Sequence, residues 1–176
     1  MPFTPFHFGP HSTVALPLRK YIDIPVLIGA NIIVDVEPLL VMAFNLDYPL
    51  HGYCHTFLIG GLLGLAWGVA AYPFRGLIGK AMAVQSLPYS PSRWKMAISG
   101  MLGIWLHIAF DAPLYYEMKL LYPFGWNPFV GIMEMGTVYM VCALLFIPAL
   151  VMYFIMVVGR KDKVHPLGGN HDIERC

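Results

Sequence analysis

Long apolar runs, separated by short polar or proline-rich stretches, organise this chain. Four of them reach the length of about 20 helical residues that a hydrocarbon core requires. The first lies near 24–46 (IPVLIGANIIVDVEPLLVMAFNL), the second at 55–74 (HTFLIGGLLGLAWGVAAYPF) and the third near 96–116 (MAISGMLGIWLHIAFDAPLYY). The fourth runs near 129–158 and is long enough to tilt. The pattern predicts an all-α fold, a polytopic membrane helical bundle of about four transmembrane helices occupying 23–159. Ahead of it, residues 1–22 form a proline-punctuated segment carrying His7. The part from His7 to Leu18 is too short to span and is expected to be half-buried or re-entrant, since irregular backbone at membrane depth must be covered by protein. Residues 160–176 are expected to be a polar tail. A short interfacial helix is expected around Leu77–Leu87. The stretch YPFGWNPF (122–129) reads as an outer-interface loop anchored by Tyr122 and Trp126.

Composition agrees with a bilayer as solvent. Of the 176 residues, 58% are hydrophobic and only 12% are charged, whereas a soluble domain carries roughly 25% charged residues. The net charge of +1 and the lack of a basic block argue against nucleic acid as a partner. Three cysteines far apart in sequence (Cys54, Cys142, Cys176) do not suggest a disulfide framework. The N-terminus lacks a basic leader, so no cleavable signal peptide is expected. Glycines 60, 61, 64 and 68 in the second run are expected to let helices pack closely.

Charge sets the expected orientation. Arg19 and Lys20 precede the first run, Arg75, Lys80, Arg93 and Lys95 lie between the second and third, and Arg160, Lys161 and Lys163 follow the fourth. The loop between the first two runs has no Lys or Arg, and the loop between the last two has only Lys119. The positive-inside rule then places the chain in the cell membrane with both termini cytoplasmic.

The polar residues inside the runs carry the chemistry. An ionisable side chain in hydrocarbon costs at least about 2.5–3.5 kcal/mol, so it needs a partner or a task. The first run carries Asp35 and Glu37, the second begins at His55 with His51 just before it, the third carries His107 and Asp111, and the fourth has Glu134 near its start. At about 1.5 Å per residue, Asp35 and His107 both lie roughly 16 Å along their helices and Asp111 roughly 22 Å. His55 enters from the opposite end, so these groups can meet in the outer half of the bilayer. Glu134 is expected near the same face.

Spacing adds to depth. His51 and His55 are four apart in HGYCHT, and His107 and Asp111 are four apart in HIAFD. On a helix such pairs share a face, and two pairs aimed at one point would supply the nitrogen and oxygen ligands of a zinc-class metal. Pro38 disfavours helical backbone at Glu37, so a break at D-V-E-P is expected to turn both carboxylates to the site. Cys54 would point off the shared histidine face. His7 and His11 are ligands if the N-terminal segment re-enters and solvated residues if it does not. His165 and His171 belong to the polar tail and are expected to play no part. Two other readings stand beside a catalytic metal: a small ion- or proton-coupled transporter, and a non-catalytic metal-binding protein. Four spans without an evident inverted repeat count against the transporter.

The motifs TPFH (Thr4–His7), VDVEP (Val34–Pro38), HGYCHT (His51–Thr56) and HIAFD (His107–Asp111), in this order and at this rough spacing, resemble the membrane-bound metal-dependent hydrolases, the inner-membrane hydrolases associated with LexA. That family's pattern is T-x-x-H, P-D-x-D, H-R-G-x-T-H-S and H-x-x-x-D. The resemblance covers about residues 1–125. It implies metal or catalytic roles for His7, Asp35, Glu37, His51, His55, His107 and Asp111. The chain departs from the pattern at Val34, Glu37 and Gly52, the last standing where an Arg is expected; without that fork, recognition of a phosphate or carboxylate is weakened. The H-x-x-x-D stretch is also similar to that of zinc-dependent phospholipase C and its nuclease relatives. The expected chemistry is metal-assisted hydrolysis. A divalent ion (zinc, with manganese or magnesium as alternatives) is held by His51, His55, His107 and Asp111, with Asp35 as a further or bridging ligand. Glu37 is the expected general base. The expected substrate is a lipid or amphipathic ester or phosphoester, and two ions about 3.5–4 Å apart are compatible with so many donors.

Overall fold

A computed structural model describes residues 4–164. A 3-10 turn at Thr4–His7 leads into α1 (Phe8–Ala15), followed by α2 (Ile24–Val34), α3 (Val36–Ala43), α4 (Phe57–Ala71), α5 (Arg75–Val84), α6 (Arg93–Asp111), α7 (Met135–Leu144) and α8 (Phe146–Val164). No strand occurs among the described residues. Local chemistry starts the long helices. Asp23, Thr56 and Ser92 each accept a hydrogen bond from the backbone N–H three residues on, which satisfies donors that a helix N-terminus leaves free. Pro25 sits in the first turn of α2, where its missing N–H costs nothing.

Two breaks have a common cause. Pro38 and Pro148 are the third residues of α3 and α8, and each deletes the N–H that would continue the preceding helix. The chain therefore pauses for one residue at Asp35 and at Leu145. Glu37 itself remains helical, so the expected D-V-E-P break falls at Asp35, two residues earlier than the pre-proline position.

Three segments are long and apolar enough to cross a membrane: Ile24–Ala43, Phe57–Val84 and Met135–Gly159. The expected third crossing near 96–116 is not one of them. Its helix, α6, has 19 residues, but Arg93, Lys95, His107 and Asp111 dilute its apolar character. The expected interfacial helix appears as α5, joined to α4 through a 3-10 turn at Tyr72–Phe74. The fourth run becomes helical only at Met135, and its outer surface is bare hydrocarbon: Phe154 and Ile155 are about two-thirds exposed.

The bundle centres on α6, which packs against α4 and α2. The glycines of α4 make this possible. A Cβ at Gly64 would stand 2.5 Å from the Gly100 carbonyl oxygen, and one at Gly68 would collide with the carbonyl oxygen of Met96. Backbones therefore touch where side chains would hold them apart. Gly103 meets α2 in the same manner, against the Leu27 carbonyl.

The N-terminal segment runs antiparallel to α6. His7 lies beside Asp111, His11 beside Gly103, and the Arg19 carbonyl accepts from Lys95 Nζ at 2.9 Å. Its Ala15 and Leu16 join a core with Ile22, Leu27, Met82 and Leu87. It is thus part of the bundle, and its first described residues lie at the end opposite Arg19. That other end gathers positive charge: the guanidinium groups of Arg75 and Arg93 both lie over the Tyr72 ring. His165, His171 and Cys176 lie outside the described residues.

Candidate metal centre

The C-terminal ends of α2 and α6, the turn before α4 and the start of the chain meet at one point. A small core of Ala30, Val34, Ile104, Ile108, Met118 and Leu120 surrounds it. Into this apolar shell project four imidazoles and two carboxylates. His7, His55 and His107 are fully buried, and His51 and Asp111 are almost so. The Asp35 side chain is 15% exposed, the most open of the six.

Their spacing is that of a coordination shell. His107 Nε2 lies 3.3 Å from Asp35 Oδ1 and 3.2 Å from Asp111 Oδ2, and His7 Nε2 lies 3.3 Å from Asp111 Oδ1. His51 Nε2 is 3.9 Å from Asp111 Oδ2, and His55 Nε2 is 4.0 Å from Asp35 Oδ1. Two ligand atoms on a tetrahedral zinc, each roughly 2.0–2.1 Å from the ion, stand about 3.3 Å apart. Three overlapping triads can each hold an ion: His7, His107 and Asp111; Asp35, His55 and His107; His51, His55 and Asp111. The structure brings together the six residues that were expected from the sequence to act as ligands. The rings of His55 and His107, on separate helical elements, are 5.7 Å apart.

The outward nitrogens are held. His51 Nδ1 donates to Glu117 Oε1 at 3.1 Å, His55 Nδ1 to Glu37 Oε2 at 2.9 Å, and His107 Nδ1 to Asn31 Oδ1 at 3.1 Å. A donor at Nδ1 leaves the Nε2 lone pair pointing inward, which is how proteins orient metal-binding imidazoles. Buried atoms here make no hydrogen bond: Nε2 of His55 and His107, both nitrogens of His7, and Asp111 Oδ1. Unsatisfied buried polar atoms cost about 1–3 kcal/mol each, so those that face the cluster fit a cation. Burial pushes the His51 imidazole below its ordinary value, favouring the neutral form that binds metals.

Glu37 is used differently from the expectation. Its Oε2 accepts from Gly52 N at 3.1 Å as well as from His55, and its Oε1 accepts from Cys54 N at 3.2 Å and Tyr48 Oη at 3.3 Å. Both oxygens are engaged behind His55, on the side away from the cluster. This carboxylate fastens the 51–55 turn to α3.

Other expectations are corrected. His51 and His55 do not share a helix face; a bend and a 3-10 turn, Tyr53–His55, set their rings 4.8 Å apart and nearly perpendicular. His11 is buried, not solvated, yet it is not a ligand: its Nδ1 faces the His7 carbonyl at 2.7 Å and its Nε2 the Gly103 carbonyl at 2.9 Å. Cys54 packs with the apolar shell and belongs to none of the three triads; burial, then the Glu37 charge, push its thiol up to about 11. Glu134 is exposed at the head of α7 and belongs to none of the three triads. Asn31 and Glu117 are the functional residues that sequence reasoning missed. Asn31 stands one turn before Asp35 on an otherwise apolar helix, a signal that was available; Glu117 lies in a turn with no periodicity to mark it.

The mouth of the cluster is at His51. A cavity of about 110 Å³ is lined by His51, Gly52, Tyr48, Tyr53, Glu117 and Lys119. Tyr115 stacks on His51 with ring centroids 3.8 Å apart, and its buried hydroxyl has no hydrogen-bond partner. No family model matches the sequence, and no curated protein or solved structure matches it.

Proposed function

We propose that this chain is an integral-membrane metal-dependent hydrolase that acts on an ester or phosphoester of a lipid or amphipathic substrate. One observation carries the reading: three histidines have their Nδ1 atoms tied by Glu117, Glu37 and Asn31 while their Nε2 atoms converge on the carboxylates of Asp35 and Asp111. Hydrogen-bonded histidine–carboxylate pairs would not leave so many buried atoms without a hydrogen bond.

Zinc suits the mixed nitrogen and oxygen donor set. Six donors exceed a single tetrahedral shell, and the two oxygens of Asp111 face different histidines, so His7, Asp35, His51, His55, His107 and Asp111 together would hold one or two ions. Bound metal supplies a water acidified towards a pKa of about 7. Asp35, the most open carboxylate of the cluster, would be the acceptor for a proton there, since both oxygens of Glu37 are already engaged. Glu37 positions His55. Tyr115, with its unpaired hydroxyl beside His51, is the donor available to the substrate's oxygen.

α6 is proposed as a fourth crossing, packed against α2 and α4, with the Arg and Lys end cytoplasmic and the metal centre in the outer half of the bilayer. The contacts of Gly64, Gly68 and Gly103 close the bundle beneath the cluster, which counts against a water path through it and so against a transporter. Elemental analysis of the purified protein tests the reading. Stoichiometric or greater metal is expected in the wild type, with loss in His55→Ala and Asp111→Ala variants that remain folded, and the wild type is expected to cleave amphipathic p-nitrophenyl esters or phosphodiesters. Wild-type metal content in both variants would overturn it.

A further inference from the structure

A second cavity lies next to the metal centre, on the exposed side of the contact between α4 and α6. Its volume is about 630 Å³, within the roughly 300–1,000 Å³ of small-molecule pockets. Phe57, Leu58, Leu62, Leu65, Met101 and Trp105 line it, and residues 120–122 close its upper end. The polar atoms that could have opened it to water are already spent. Trp105 Nε1 donates to the Phe57 carbonyl at 2.8 Å, and Phe57 N donates to the Leu120 carbonyl at 3.1 Å. What remains is a largely hydrocarbon trough, with the Tyr122 hydroxyl as a side-chain donor at one end.

The trough leads to the metal cluster. Phe57 is two residues from His55, and the roof segment that begins at Leu120 follows directly on Lys119. At the upper end Tyr122 meets Tyr53 edge to face, ring centroids 5.1 Å apart, and Lys119 Nζ lies 5.7 Å from the Tyr53 ring. Tyr53 and Lys119 in turn line the small cavity that opens on His51. Apolar trough, aromatic pair, cation and metal ligand thus follow one another along one edge of the molecule. Lys119 is the sole Lys or Arg in residues 96–159, and residues 21–74 contain none. Among the described residues it is therefore the one fixed positive side chain at this end of the bundle, and Glu117 beside it is engaged by His51.

We propose that this trough binds one acyl chain of an anionic membrane lipid, whose headgroup lies against Lys119 at the mouth of the metal centre. Chain length is read by the trough and headgroup charge by the lysine. The inference rests on the hydrolase reading only for what happens next to that lipid; the binding site stands on the trough and the cation.

Native mass spectrometry of the full-length protein in detergent tests it, with an equimolar mixture of phosphatidylglycerol and phosphatidylcholine as the probe and metal content read on the same samples. The wild type is expected to retain one phosphatidylglycerol in preference to phosphatidylcholine. Leu62→Trp, which fills the trough from an exposed position, is expected to lower retention at least fivefold; Leu58→Trp gives the same readout from a neighbouring position should the first variant misfold. Lys119→Gln is expected to keep lipid binding but lose the headgroup preference. Equal retention in all variants, or no preference in the wild type, overturns the proposal and leaves ordinary boundary lipid. Loss of metal with lipid retention as expected would instead remove the hydrolase reading and leave the lipid site.

Discussion

Replacing Glu37 by Gln separates a metal centre from a mere network of histidines and acids. The substitution conserves shape and removes one charge and one acceptor. Glu37 accepts from His55 Nδ1, Gly52 N, Cys54 N and Tyr48 Oη within 2.9–3.3 Å. A glutamine must turn its amide nitrogen towards one pair of these donors. The cheaper choice faces Cys54 N and Tyr48, because the tyrosine hydroxyl can rotate to accept; one backbone N–H is then left unpaired at about 1–3 kcal/mol. That loss weakens the fold with or without metal. The second effect needs the metal. His55 loses a charge-assisted bond that makes its Nε2 more basic, and disturbing such outer partners weakens metal affinity about 10–100-fold, or about 1.4–2.7 kcal/mol at 1.36 kcal/mol per decade. Two measurements resolve the terms: thermal unfolding of metal-free and metal-saturated protein in one detergent, and elemental analysis after dialysis against graded chelator. Glu37→Gln is expected to unfold earlier in both states and to release metal at a chelator concentration 10–100-fold lower than wild type. Unchanged metal retention across the chelator series would refute the argument that the rear nitrogen of His55 tunes a ligand. If saturating metal adds no stability to the wild type, although a ligand at a hundred times its Kd contributes about 2.7 kcal/mol, the cluster holds no ion.

Three further outcomes follow from the geometry. Asn31→Ala removes the acceptor on His107 Nδ1 and is expected to weaken metal binding about tenfold, with Asn31→Asp restoring or exceeding wild type in the same chelator titration. His11→Ala is expected to lower the unfolding temperature, because His11 joins α1 to the Gly103 carbonyl, while leaving metal stoichiometry at saturation unchanged; loss of metal there would make His11 a ligand. Gly68→Val drives a side chain into the Met96 backbone and is expected to cost about 1–3 kcal/mol or more, whereas Gly76→Ala, with open space around it, is expected to be neutral or to gain about 1 kcal/mol in helix propensity; thermal scans of the pair check both.

The donor set was legible without coordinates because ionised groups are expensive in hydrocarbon. Asp35, His55, His107 and Asp111 stood out against apolar runs, and common depth suggested that they meet. His7 was legible only as an alternative, since nothing local says whether a proline-rich segment folds back along α6. The same logic misjudged Glu134, which lies at a helix head in contact with solvent, where a carboxylate costs little. It also took the His51–His55 spacing for a helix, although a 3-10 turn brings the two rings together by another route.

Sequence alone determined that this chain is helical, apolar enough for a bilayer, and supplied with six side chains that could hold a metal ion, because hydropathy and the cost of buried charge act locally and can be counted along a chain. Tertiary structure decided which nitrogen of each histidine faces the cluster, that Glu37 stands behind His55, and that Asn31 and Glu117 complete the arrangement. Those facts depend on side chains 18, 66 and 76 residues apart, brought within hydrogen-bond reach by the glycine contacts of α4, α6 and α2. No local rule encodes such distances.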